Sequence, residues 1–324
     1  MRRTITRAGV TAALTAAALL FGAACSSGDH DDTPAATPAD PGKAAEDFKK
    51  VEASTTVDAT RYLYPTTTGT RDDDQNWADL FLPTGDHAPE SVPLVVLIHG
   101  GAWQSEIGAD VFVTFARRLA ERGLAVYNVE YRRVGAGGGW PTTFADVAAA
   151  LDFIPSVKKA VPALDTDDVV VAGHSAGGQL SMWAGTRHKL ADNEVGAKPK
   201  FRPTHVISLA GPLDMRTAVA KGDHNIVKAL GGTPHQLPER YQMVDPIQNI
   251  DPSMPTIAMN GDKDHIVPAV LGQNYVAAAQ KAGATSTFIM IPGGNHVSIV
   301  DANNPQFLTV LETISRASRS ANRE

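Results

Sequence analysis

Gly173-His174-Ser175-Ala176-Gly177 lies between two stretches of different character. Asp168-Val169-Val170-Val171-Ala172 before it reads as a buried strand, and Gly178-Gln179-Leu180-Ser181-Met182-Trp183-Ala184 after it reads as a helix. A serine on so sharp a strand-to-helix turn is forced into strained backbone, which small residues two positions to either side permit. Its hydroxyl then stands clear of the sheet, where a nucleophile belongs. The other reading is an ordinary glycine-rich turn in a chain of 28 glycines.

The context favours the nucleophile. The most apolar strand, Val92-Pro93-Leu94-Val95-Val96-Leu97-Ile98, runs into His99-Gly100-Gly101-Ala102-Trp103. Backbone there can turn its N–H groups towards a bound carbonyl. Amides near Gly101 and Ala102, with that of Ala176 just after the serine, would form an oxyanion hole.

His99-Gly100-Gly101-Ala102-Trp103 and Gly173-His174-Ser175-Ala176-Gly177 together resemble the α/β-hydrolase superfamily. More narrowly, they are similar to its HGGxW branch of esterases and kynurenine-formamidase-like hydrolases. Asn128-Val129-Glu130-Tyr131-Arg132-Arg133, followed by Gly138-Gly139-Trp140-Pro141, is similar to a stretch of bacterial members, and the likeness covers about residues 57–320. The resemblance implies the triad order serine, acid, histidine. His265 directly adjoins Asp264, which leaves His296, in Ile291-Pro292-Gly293-Gly294-Asn295-His296, as the base. Gly261-Asp262-Lys263-Asp264-His265-Ile266-Val267-Pro268 is similar to the family's G-x-x-D-x-x-V-P turn and puts the acid on Asp264, with Asp262 as runner-up. The implied activity is cleavage of small carboxylic esters through an acyl-enzyme, without metal or cofactor. One alternative is an arylformamidase of the kynurenine-formamidase type. Another is a non-catalytic binding lipoprotein on a hydrolase scaffold.

Strand and helix patterns alternate along residues 44–324, as an α/β-hydrolase fold requires: a mostly parallel eight-stranded sheet with helices on both faces. The expected strands are residues 57–64, 77–82, 93–99, 124–130, 168–174, 204–209, 256–260 and 286–291. Helices are expected over residues 109–122, with Val111, Phe112, Phe115 and Leu119 on the buried side, and over 269–282 and 303–317. Residues 212–254, punctuated by prolines, read as a small cap insertion that leaves the pocket fairly open. Trp103 is either a wall of the substrate pocket or core packing. Arg132 and Asp146 either pair or lie in solvent. His99 reads as a brace for the oxyanion loop, and His224 and His235 as surface residues.

The amino terminus concerns address. Arg2, Arg3 and Arg7 precede an apolar run from Ala8 to Phe21, too short to span a membrane, so residues 1–24 read as a signal peptide. Leu20-Phe21-Gly22-Ala23-Ala24-Cys25 resembles a bacterial lipobox, with glycine in place of an aliphatic residue three positions before the cysteine. Cys25 is therefore the expected lipidation site, and residues 25–43 a disordered tether to the cell membrane; a secreted protein is the alternative. The sole cysteine excludes an internal disulfide, and no Cys/His spacing suggests a metal. Residues 1–24 carry three arginines and no acid, so their removal moves the formal charge from −6 to about −9, which argues against a nucleic-acid partner. Oligomeric state is not legible.

Overall fold

The computed structural model describes residues 33–38, 56–104 and 106–319. Among them lie eight strands and nine α-helices. In chain order these are β1 (Val57–Leu63), β2 (Trp77–Pro83), β3 (Val92–Ile98), α1 (Val113–Ala120), β4 (Ala125–Val129), α2 (Thr142–Asp152), α3 (Ile154–Ala160), β5 (Leu164–His174), α4 (Ala176–Thr186), β6 (His205–Leu209), α5 (Met215–Ala220), α6 (His224–Leu230), α7 (Pro238–Val244), β7 (Thr256–Gly261), α8 (Val270–Lys281), β8 (Ser286–Ile291) and α9 (Gln306–Ala317). One sheet joins all eight strands in the order β1-β2-β4-β3-β5-β6-β7-β8. The pairings of β2 with β1 and β4 are antiparallel and the rest are parallel.

A strand buried on both faces needs apolar residues at every position, and β3 shows the outcome. Leu94, Val96 and Ile98 join Phe144, Leu151, Val157, Leu180 and Trp183, from α2, α3 and α4, in one core. Val95 and Leu97 join Phe115, Leu119, Phe307 and Leu311, from α1 and α9, in the other. Neighbouring β3 and β5 thus send their following helices to opposite faces. Between their carboxyl ends opens a crevice, the topological switch point where α/β sheets bind ligands.

Strand boundaries agree with the sequence reading to within two residues, except that β5 begins four residues early. The first expected helix is shorter: residues 109–112 form a 3-10 turn before α1. That turn swings Val111 into solvent, contrary to its expected burial. Residues 212–254 hold α5, α6, α7 and a further 3-10 turn, as expected of an insertion between β6 and β7.

The signal-peptide and Cys25 expectations fall outside the described residues. Part of the expected tether does not behave as one. Ala36 is buried, its N–H donates to the carbonyl of Ser156 at 2.7 Å, and Pro38 bridges to Tyr62 on β1. Composition suggested disorder, but a proline-stiffened segment loses little entropy when it docks.

Candidate active site

The serine turn follows from sterics. Ser175 has φ 56° and ψ −120°, a conformation that side-chain-bearing residues rarely adopt. A Cβ on Gly173 would stand 2.1 Å from the carbonyl oxygen of Gly177, and one on Gly177 would stand 2.1 Å from that of Ile98. Both positions therefore require glycine. The Ser175 N–H donates to Leu209 at 2.8 Å, tying the turn to β6.

Two loops bring the remaining groups to the serine. The loop after β8 places His296 Nε2 3.0 Å from Ser175 Oγ. The loop after β7 places Asp264 Oδ2 2.8 Å from His296 Nδ1. A carboxylate accepts only, so Nδ1 carries the hydrogen and Nε2 is left to accept from the hydroxyl. All three residues are buried. Burial pushes the Asp264 carboxyl up, but the hydrogen bond and charge of His296 and the amides of Val267 and Ile266 outweigh it, so its pKa lies below the ordinary carboxylate value. Asp262 is exposed and accepts instead from the Gly293 N–H at 2.7 Å, supporting the histidine loop without touching the imidazole.

The glycine loop after β3 faces the serine closely, since a Cβ on Gly100 would stand 3.0 Å from Ser175 Cβ. Gly101, Ala102 and Trp103 have φ of 101°, 54° and 59°. Three successive left-handed residues reverse the chain, so Gly101 and Ala102 line the cavity over the serine while Trp103 turns away. Trp103 is buried in the core beside α2 and α4 and forms no part of the cavity wall, which corrects its assignment to the substrate pocket.

Buried polar groups, only partly foreseen, brace this loop. His99 faces two acceptors, Gly100 O at 2.7 Å and Glu130 Oε1 at 3.0 Å, and its ring stacks on Tyr131 at 4.3 Å. Glu130 also accepts from the N–H groups of Ala109 and Tyr131, both at 2.8 Å. Burial pushes its carboxyl up; the charge and hydrogen bond of His99, the charge of Arg133 and the Ala109 amide bring it below the usual range. The brace role of His99 was legible. Glu130 showed only as an acid closing an apolar strand.

His174 is the second missed residue. Its Nε2–H donates to the backbone carbonyl of His296 at 2.8 Å, and burial, reinforced by the charge of His296, pushes its pKa down to about 3. A neutral imidazole thus fastens the loop after β8 to the end of β5. Arg132 and Asp146 do pair, bidentate and buried, and Arg132 also donates to Thr66 and Thr68. His224 and His235 are exposed.

The family model BD-FAE matches residues 78–279, more than half of the chain. Among curated proteins, the chain is 25% identical over 247 residues to the probable isoprenylcysteine alpha-carbonyl methylesterase ICME of Oryza sativa subsp. japonica, covering 70% of this chain and 56% of that protein. It is 24% identical over 222 residues to esterase LipC of Mycobacterium tuberculosis, covering 65% and 54%. The chain thus spans about half the length of these relatives. Among solved structures, a bacterial heroin esterase superposes with a TM-score of 0.67 at 21% identity, covering 87% of this chain and 90% of that one. A truncated carbohydrate esterase from gut microbiota superposes with a TM-score of 0.65 at 22% identity, covering 82% and 98%. These likenesses show the α/β-hydrolase fold, and with the family match they establish that the chain belongs to the BD-FAE family.

Proposed function

We propose that the protein is a serine hydrolase that cleaves small carboxylic esters through an acyl-enzyme. The unbroken relay from Ser175 through His296 to Asp264, opening on a cavity, carries this reading. Ser175 Oγ bonds to the ester carbonyl carbon as His296 Nε2 takes its proton. The N–H groups of Gly101, Ala102 and Ala176, the last at the start of α4, receive the oxyanion. His296 then returns the proton to the leaving alkoxide. Water, deprotonated by the same imidazole, releases the acid. Relatives bearing esterase names favour an ester over an N-formyl amide. A serine-reactive phosphonate should label Ser175, and Ser175→Ala should lower kcat by about 10⁴-fold or more. Labelling at another serine, or undiminished turnover in the variant, overturns the assignment.

We also propose that residues 1–24 are removed and that Cys25 carries the membrane anchor. The basic start, apolar run and Cys25 in the sequence support this address. Mass spectrometry of the host's membrane fraction should find an acylated Cys25; an unmodified cysteine on the mature chain would refute it.

A further inference from the structure

The cavity over Ser175 is larger than an acetyl group needs. Its volume of about 680 Å³ falls in the range of sites that enclose drug-sized molecules. Six residues between 106 and 115 and six between 296 and 303 supply most of its lining. Ring contacts give its direction. His174, beside the nucleophile, lies 6.3 Å from Phe112, which lies 5.3 Å from Phe115. All three line the cavity, whereas Phe307, 4.9 Å beyond Phe115, does not. The trough therefore runs outward from Ser175 over two aromatic rings, and Thr114 and Ala302 also line it.

Its mouth is apolar as well. Ile107, Val111, Ile266 and Val297 line it and are exposed, Ile266 to 68%. They are four of the seven exposed large hydrophobic side chains among the described residues, and such clustering around one opening marks a binding surface. Among the described residues no lysine or arginine lines the cavity, and its carboxylates belong to Glu106 and Asp301. Those groups disfavour an anionic ligand.

We infer that this trough binds the apolar arm of the ester, and that the preferred substrates are uncharged esters with an extended aliphatic arm. The inference rests on the serine-hydrolase reading and adds the substrate class to it. Each methylene that leaves water in the trough can raise kcat/KM by up to about fourfold. An arm ending in a carboxylate forfeits that gain.

The test uses the full chain and dissolved p-nitrophenyl acetate, butyrate, hexanoate and octanoate, with phosphonate labelling of Ser175 alongside. Wild-type kcat/KM should rise from acetate to octanoate, and an octanoate analogue with a terminal carboxylate should be turned over at least tenfold more slowly. Thr114→Trp and Ala302→Trp fill the trough from two lining positions, Thr114 exposed and Ala302 partly buried at the edge of the core, so at least one should fold. Either should lower the octanoate-to-acetate ratio by tenfold or more. Labelled enzyme whose rate falls steadily from acetate, or whose ratio stays within twofold in the folded variants, overturns the trough assignment. Absence of labelling at Ser175 refutes the underlying hydrolase reading instead.

Discussion

Asp264 beside His296 and Asp245 in the insertion are both buried carboxylates that accept two backbone N–H groups, yet their pKa values move in opposite directions. Burial pushes both up. At Asp264 the hydrogen bond and charge of His296 reverse that push. Asp245 has the amides of Met215 and Arg216 and the side chain of Gln248, with the like charge of Asp214 nearby, and its pKa is pushed up to about 6. Amides and a neutral side chain alone leave a buried carboxylate disfavoured, whereas a hydrogen bond from an imidazole ring, added to two amides, outweighs burial. That ring hydrogen bond is what Asp245 lacks.

The comparison breaks if the two acids prove interchangeable in catalysis. Asp264→Asn should lower kcat by about 10³ to 10⁴-fold by disturbing the His296 tautomer. Asp262→Asn should cost less than about tenfold, and Asp245→Asn less than about threefold, in steady-state ester hydrolysis. A deeper loss at Asp262 than at Asp264 would move the acid.

A third buried carboxylate sharpens the point. Glu130, like Asp264, has its carboxyl lowered first by a histidine, here His99 beneath the glycine loop after β3, with Arg133 and the Ala109 amide adding to it. Glu130 also lies 3.5 Å from the Arg133 guanidinium, and removing one charge of a buried pair typically costs about 3 to 5 kcal/mol, so urea unfolding of Glu130→Gln should show a loss of that order. A loss under about 1 kcal/mol would mean that the loop holds itself by backbone alone.

The smallest effect is a matter of sign with pH. The folded-state pKa of Asp245, about 6, lies above its unfolded value near 4. Its protonated form therefore favours the fold below about pH 4, and that contribution is gone once pH passes about 6. Asp264 behaves oppositely: its contribution is present above the unfolded value and is lost as acid carries the pH down through the lowered folded-state value. The stability of Asp245→Asn relative to wild type should thus improve by on the order of 2 kcal/mol between pH 4.5 and pH 7.5. No change, or the reverse sign, would show that Asp245 is charged at neutral pH without strain.

What the residues revealed before folding was whatever depends on near neighbours in the chain. The elbow at Ser175 needs glycine at 173 and 177 for a steric reason, and the eight strands follow from apolar runs between turn residues. Asp264 and His296 were reached through the order and turn pattern of a resembling family, and the fold brings both to Ser175. What only the tertiary structure decided depends on groups far apart in sequence or on backbone angles that residue type does not encode. Three consecutive positive φ values sent Trp103 into the core, and a 3-10 turn exposed Val111 at the cavity mouth. Glu130 lies 31 positions from His99, and His174 lies 122 from the carbonyl that it holds. The opposite pKa shifts of Asp264 and Asp245 were equally hidden, because a buried charge is governed by the partner that packing brings within a hydrogen bond, and the sequence shows only that each residue is an aspartate.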